Sequence, residues 1–158
     1  MGLMNDAAAQ PAGKELVLTR IYDAPRAVTF QAWIDPQEIV KWWGPRGFTV
    51  PHCEIDPRPG GIFRVDMRAP DGVEYPGSGE FHEVIVPERI VYTATAFPDE
   101  TGRMQLEVKH TITFEDFEGK TRLTLHAQVI RSTPAVAESV AGMEPGWTES
   151  LDKLAEIF

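Results

Sequence analysis

A pair of adjacent tryptophans, Trp42 and Trp43, restricts this chain more than any other feature; they lie in the run Lys41-Trp42-Trp43-Gly44-Pro45-Arg46-Gly47-Phe48. Gly44, Pro45 and Gly47 interrupt any helix or strand, so these large rings cannot all share one regular element. They must cap or line an interior while the backbone turns. Two readings follow: a loop that plugs the end of an ordinary core, and the mouth of a cavity. The neighbouring segments bear on the choice.

Upstream, Leu16, Leu18, Arg20 and Tyr22 alternate with Val17, Thr19 and Ile21, which is the period and the composition of a strand. Asp23-Ala24-Pro25 ends it. Asp23 can accept from the amides of the next turn and Pro25 has its φ preset, so a helix is expected to start there and carry Val28, Phe30 and Trp33 inward. Asp35-Pro36 stops that helix, and a second short one is expected from Pro36 to about Trp42. Five or six more strands follow, over about Thr49–Ile55, Phe63–Arg68, Gly79–Val86, Ile90–Ala96, Leu106–Phe114 and Thr121–Ile130. Gly60-Gly61, Asp71-Gly72, Pro87-Glu88, Asp99-Glu100-Thr101-Gly102 and Glu118-Gly119 separate them, and short turns of this kind join antiparallel neighbours. In the clearest strand Leu106, Val108, His110, Ile112 and Phe114 face one way and Glu107, Lys109, Thr111, Thr113 and Glu115 the other, giving one covered and one wet face.

The covering element is expected to be the C-terminal segment. Thr133-Pro134 suits a cap and first turn, and Val136, Val140, Met143, Trp147, Leu151, Leu154 and Phe158 recur at steps of three and four. Pro145 and Gly146 sit inside that stripe, and an interior proline costs a helix about 3 kcal/mol, so a kink or break is expected near Gly142 to Pro145. The expected fold class is α+β: a curved antiparallel sheet of six to seven strands around a long C-terminal helix, with two short helices after the first strand. Residues 1–13, rich in alanine, read as a flexible tail, and residues 14–158 as one domain.

The order of these motifs carries a resemblance. Leu16 to Pro25, the double-tryptophan run, Asp56-Pro57-Arg58-Pro59-Gly60-Gly61-Ile62-Phe63-Arg64, Gly79-Glu80-Phe81, Pro87-Glu88-Arg89-Ile90-Val91-Tyr92, Gly119-Lys120-Thr121-Arg122-Leu123 and Gly146-Trp147 follow one another as in a known family. The chain from Leu16 to Phe158 resembles the family named after the activator of the ninety-kilodalton heat-shock chaperone ATPase, within the Bet v 1-like or START-related superfamily of helix-grip proteins. That resemblance implies a sheet gripping the last helix with a cavity between them. It leaves function open, because the superfamily puts lipid carriers, hormone receptors, polyketide cyclases and chaperone partners on one scaffold.

Charge narrows the partners. With 24 acidic and 15 basic residues the net charge is −9, which repels phosphate backbones and anionic lipid, so neither nucleic acid nor a membrane surface is an expected partner. No apolar run approaches the roughly 20 residues of a membrane span, and the start lacks the pattern of a secretory leader, so the expected location is cytoplasmic. The lone cysteine, Cys53, excludes an internal disulfide and reads as a small hydrophobe in a strand. No histidine spacing suits a metal, and Gly60-Gly61 reads as a turn because no helix follows it to hold a phosphate, so neither metal nor cofactor is expected.

Cavity-lining side chains are expected at Phe30, Trp33, Trp42, Trp43, Phe48, Phe63, Met67, Phe81, Tyr92, His110, Ile112, Trp147 and Leu151. Among them His110 stands out, since alternation places an imidazole on the apolar side of its strand; it is either a ligand anchor or general acid–base, or a core histidine bonded to a neighbour. Tyr92 and Glu83 are the other polar candidates, with Glu83 beside a break in apolar phase where a bulge could turn it either way, and Asp66 is a further polar candidate. His52, His82 and His126 read as surface residues, and Arg58, Arg64 and Arg89 as members of surface ion pairs. The leading functional expectation is a carrier or sensor of a small apolar or amphipathic molecule. A cyclase- or dehydratase-like enzyme using His110, Tyr92 or Glu83 is the first alternative, and a chaperone-associated or stress-response binding module the second. The chaperone activators carry a further amino-terminal domain for which this chain has no room, and a homodimer through sheet edges stands as a weaker expectation.

Overall fold

Alternating side chains, interrupted by turn residues, produce one antiparallel sheet. In the computed structural model, which describes residues 14–158, the elements run β1 (Glu15–Tyr22), α1 (Arg26–Ile34), α2 (Pro36–Trp42), β2 (Thr49–Ile55), β3 (Ile62–Arg68), β4 (Glu74–Tyr75) and β5 (Gly77–Ile85). They continue with β6 (Arg89–Pro98), β7 (Met104–Phe117), β8 (Lys120–Ser132), a 3-10 turn (Pro134–Val136), α3 (Ala137–Ala141) and α4 (Met143–Ala155). The expected tail, residues 1–13, lies outside the described residues.

The strand order is β1-β8-β7-β6-β5-β3-β2, with the two-residue β4 paired to β3. Seven strands thus form the path, as the α+β helix-grip expectation requires. β1 zips onto β8 along its whole length, from Glu15 opposite Gln128 to Tyr22 opposite Thr121, while β2 ends the far edge. The link between them spans the concave side, and α1 and α2 supply it. Register shifts in the β2–β3, β5–β6 and β7–β8 pairs add local bends to the twist of the sheet.

Helix boundaries depart from the local signals in instructive ways. Pro25 occupies the N-cap position of α1 and no side chain caps it, so Asp23 does not take the expected role. Thr121, from β8, fastens the junction instead: its hydroxyl donates to the Ala24 carbonyl at 2.7 Å and lies 3.0 Å from the Thr29 hydroxyl. The inward face of α1 is Thr29, Phe30, Ala32 and Trp33; Val28, expected inward, falls outside that arc and is 50% exposed. Asp35 does cap α2, accepting from the Gln37 amide at 2.9 Å.

The C-terminal segment is three pieces rather than one long helix, and the break at Gly142 falls in the expected window. Pro145 then stands in the first turn of α4, where its missing amide loses no helical bond; the Gly146 amide donates to the Gly142 carbonyl at 3.0 Å. Thr133 holds the N-cap position of the 3-10 turn and Pro134 its first turn, as expected, but the Thr133 side chain makes no capping bond: its hydroxyl donates to Gln105 Oε1 at 2.8 Å. Phe158 lies beyond the helix and meets Tyr22 edge-on at 5.7 Å.

Two apolar clusters result. The larger joins Tyr22, Phe30, Trp33, Ile39, Trp42, Phe81, Phe114, Leu151 and Leu154 with the middle of the sheet. The smaller joins Leu16, Leu106, Val108, Ala127, Val129, Val136 and Val140. Trp147 packs against both.

Candidate functional site

Between these clusters the concave face is not filled. An open pocket of about 420 Å³ remains, bordered by Phe63, Val65 and Tyr92 from the larger cluster and Leu106 and Val108 from the smaller. Trp43, Pro45 and Phe48 from the tryptophan loop, Met67 of β3, Tyr75 of β4, Phe97 of β6 and Met143 of α4 complete the rim. Such a mixture of rings and flexible thioethers suits an apolar guest.

Strand register assembles the inner wall. Tyr92 and His110 are directly opposite across β6 and β7, and their rings stack at 4.5 Å with an interplanar angle of 15°. Phe63 stacks on the other side of Tyr92 at 4.1 Å, reaching it across β5, where its partner in register is Gly79. Gly79 has to be glycine: a Cβ there would stand 2.0 Å from the Thr93 carbonyl oxygen. Trp147 meets the His110 ring at 5.6 Å and itself stacks on Trp33 at 5.9 Å, so one aromatic wall runs from the sealed core to the pocket.

The loop holding Trp43 is tied to α4. Lys153 Nζ donates to the Gly44 carbonyl at 3.1 Å and reaches the Trp43 and Pro45 carbonyls at 3.5 Å, while Glu149 accepts from the Arg46 amide and Arg46 pairs with Glu156. Gly44 has φ +90, and a Cβ at that position would crowd Met67 Sδ at 3.0 Å. Partial burial draws the Lys153 ammonium below its usual range.

The polar groups of the pocket are neutral. Burial pushes the His110 imidazole down to about 3 and lifts the Tyr92 phenol well above its ordinary value. Among the described residues neither His110 Nδ1 nor the Tyr92 hydroxyl has a hydrogen-bond partner, so the alternative of a core histidine bonded to a neighbour does not describe Nδ1. Among the described residues, no Asp, Glu, Lys or Arg lines the pocket, and no group of three or more His, Cys, Asp and Glu side chains is placed to hold a metal ion.

Comparison with known proteins agrees with this architecture. The family model described as "Activator of Hsp90 ATPase homolog 1-like protein" matches residues 23–158. The chain belongs to that family.

Solved structures of similar proteins include one from Chromobacterium violaceum, 28% identical over 94% of this chain and 97% of that one, with a TM-score of 0.79. The AHSA1 protein of Silicibacter pomeroyi is 28% identical over 90% of this chain and 96% of that one, with a TM-score of 0.76. A Nitrosomonas europaea protein is 26% identical over 90% and 92%, with a TM-score of 0.72. Among curated proteins none matches.

In this member of the Hsp90-ATPase-activator-like family the thirteen side chains expected around a cavity divide. Trp43, Phe48, Phe63, Met67, Tyr92, His110 and Trp147 line the pocket. Phe30, Trp33, Trp42, Phe81, Ile112 and Leu151 do not; they are sealed in the larger cluster at 0–1% exposure. Glu83 is not a pocket residue either: beside the bulge between Phe81 and Glu83 it turns to the surface and pairs with Arg89 at 2.8 Å. Asp66 is not a lining residue: it accepts from Arg64 at 3.1 Å and from the amide of Gly77, which does line the pocket, at 3.3 Å, and Arg58 pairs with Asp56 at 2.8 Å. Cys53 packs against the larger cluster, and burial pushes its thiol up to about 11. His52 and His82 are exposed, and His126 pairs with Glu15 at the sheet's outer edge. Tyr75 and Phe97 are the lining rings that sequence reasoning missed. Phe97 has a left-handed φ of 61 at the end of β6, which alternation does not anticipate.

No helix among the described residues is long and apolar enough to cross a membrane.

Proposed function

We propose that the protein binds a small apolar or amphipathic molecule between the sheet, the tryptophan loop and the break before α4, as a carrier or sensor. The observation that carries this reading is the unfilled pocket of about 420 Å³ between the two apolar clusters. Close-packed interiors leave few voids larger than a water molecule, and an opening with this much aromatic lining gains by admitting an apolar guest. Family membership supports the reading at the level of the scaffold.

Proton-transfer chemistry is the less favoured reading. Its two pocket candidates, His110 and Tyr92, are both held in the neutral form by burial, and among the described residues no lining carboxylate stands by to exchange a proton with either.

Native mass spectrometry of freshly purified protein, with Nile red titration, tests the proposal. A co-purified apolar compound, or dye bound at about one-to-one stoichiometry with quenching of tryptophan emission, is the expected result. Failure of every apolar probe to bind the folded protein would overturn it.

A further inference from the structure

Two polar side chains stacked in the pocket wall each carry a buried atom with no partner among the described residues. His110 is 6% exposed with an unpartnered Nδ1, and Tyr92 is 1% exposed with an unpartnered hydroxyl. Strand register sets them side by side, and both line the pocket. Most buried polar groups in native proteins are satisfied, and an unpaired one costs free energy in proportion to its desolvation. Two adjacent exceptions at the wall of an open pocket point to a partner that comes from outside the chain.

The lining also states what that partner is not. No charged side chain borders the pocket among the described residues, so a carboxylate or an ammonium would arrive without a counter-ion. The rings themselves are held in place, Tyr92 between Phe63 and His110, and His110 against Trp147. They present fixed hydrogen-bonding groups rather than an adaptable surface.

We infer that His110 and Tyr92 form the head-group site of the pocket, and that its ligand is an uncharged amphipath whose hydroxyl bonds to them while the apolar remainder lies against Met67, Phe97 and Met143. This rests on the pocket reading above and adds the chemistry of the ligand. A hydroxyl both donates and accepts, so it satisfies either imidazole tautomer together with the phenol. An ether only accepts. A carboxylate accepts but carries a charge into an apolar site.

Competition against Nile red on the full chain near neutral pH tests the inference with three probes of one chain length: decanol, decyl methyl ether and decanoate. Decanol is expected to displace the dye, the ether to bind about threefold to tenfold more weakly, and decanoate at least about tenfold more weakly than decanol. The imidazole nitrogen resonances of His110 should move further on adding decanol, which can both donate and accept, than on adding the ether, which only accepts. His110→Phe should bring decanol down to the affinity of the ether while leaving Nile red bound. Dye that binds but is displaced equally well by decanoate and decanol overturns the head-group assignment and leaves the pocket reading intact. If neither dye nor decanol binds, the pocket reading falls and this inference with it. Should His110→Phe fail to fold, the order of competitors on the parent and the imidazole resonances decide the question alone.

Discussion

Trp42 and Trp43 are neighbours in the chain and belong to different halves of the molecule. Trp42 is 0% exposed, its Nε1 donating to the Ala32 carbonyl at 3.0 Å, and it is sealed with Phe30, Trp33, Ile39 and Phe114. Trp43 is half-buried and borders an opening with Phe48, Met67 and Met143. Both halves are rich in aromatic and aliphatic side chains. What differs is the cover: over the sealed half, α1, α2 and the later turns of α4 deliver Trp33, Ile39, Leu151 and Leu154 into the sheet, and the Tyr22 hydroxyl donates to the Leu151 carbonyl at 2.9 Å. Over the open half the cover is the tryptophan loop, the 3-10 turn, α3 and the break at Gly142, and the last two bring Ser139, Gly142 and Met143 to the rim. An apolar face becomes core or binding surface according to what is docked on it.

If that contrast is right, truncation should be felt very differently in the two halves. Trp42→Ala is expected to cost about 3–5 kcal/mol in chemical denaturation, whereas Phe97→Ala on the pocket rim should cost under about 1 kcal/mol. Equal losses would erase the distinction. Leu151→Ala and Leu154→Ala, both fully buried, belong with the sealed half at about 2–5 kcal/mol each.

Acid should expose the boundary between the halves. The folded imidazole of His110 titrates at about 3 rather than the ordinary 6.5, so as pH falls protons bind the unfolded chain first. The stabilisation is whole above 6.5 and drains as pH falls toward about 3. Between 6.5 and about pH 4 the parent should lose about 2 kcal/mol more than His110→Phe, measured by urea titration across pH. Parallel pH curves for the two proteins would show that His110 is reached by solvent.

A single enlargement placed in each half sharpens the comparison further. Ala32→Leu, where Ala32 is 1% exposed in the larger cluster, should cost about 1–3 kcal/mol through overpacking. Ala94→Leu, on the pocket wall, should change stability by less than about 1 kcal/mol and weaken Nile red binding about tenfold. The smallest effect is expected at the tie between the tryptophan loop and α4: Lys153→Met, which deletes the donation to the Gly44 carbonyl, should cost under about 1 kcal/mol and speed dye entry in stopped-flow mixing.

Local chemistry in the chain was enough to determine the seven strands of the main path, though not the two-residue β4, together with the two short helices, the break at Gly142 and the inward direction of His110. Each depends on dihedral preference or on side-chain alternation, and those act over a few residues. The order of the motifs likewise carried the family. Tertiary structure alone decided the rest. Thr121 replaces Asp23 at the start of α1 because a hydroxyl from a strand 97 residues away reaches the Ala24 carbonyl. Glu83 goes to the surface because a bulge at Phe81 and an arginine at position 89 draw it there. Above all, which of the thirteen expected lining residues are sealed and which face the pocket could not be read from alternation, because Phe81 and Tyr92 are opposite in register on one face, yet only Tyr92 borders the opening. A pocket is the volume left when distant elements have finished docking, and no local rule in the chain encodes a remainder.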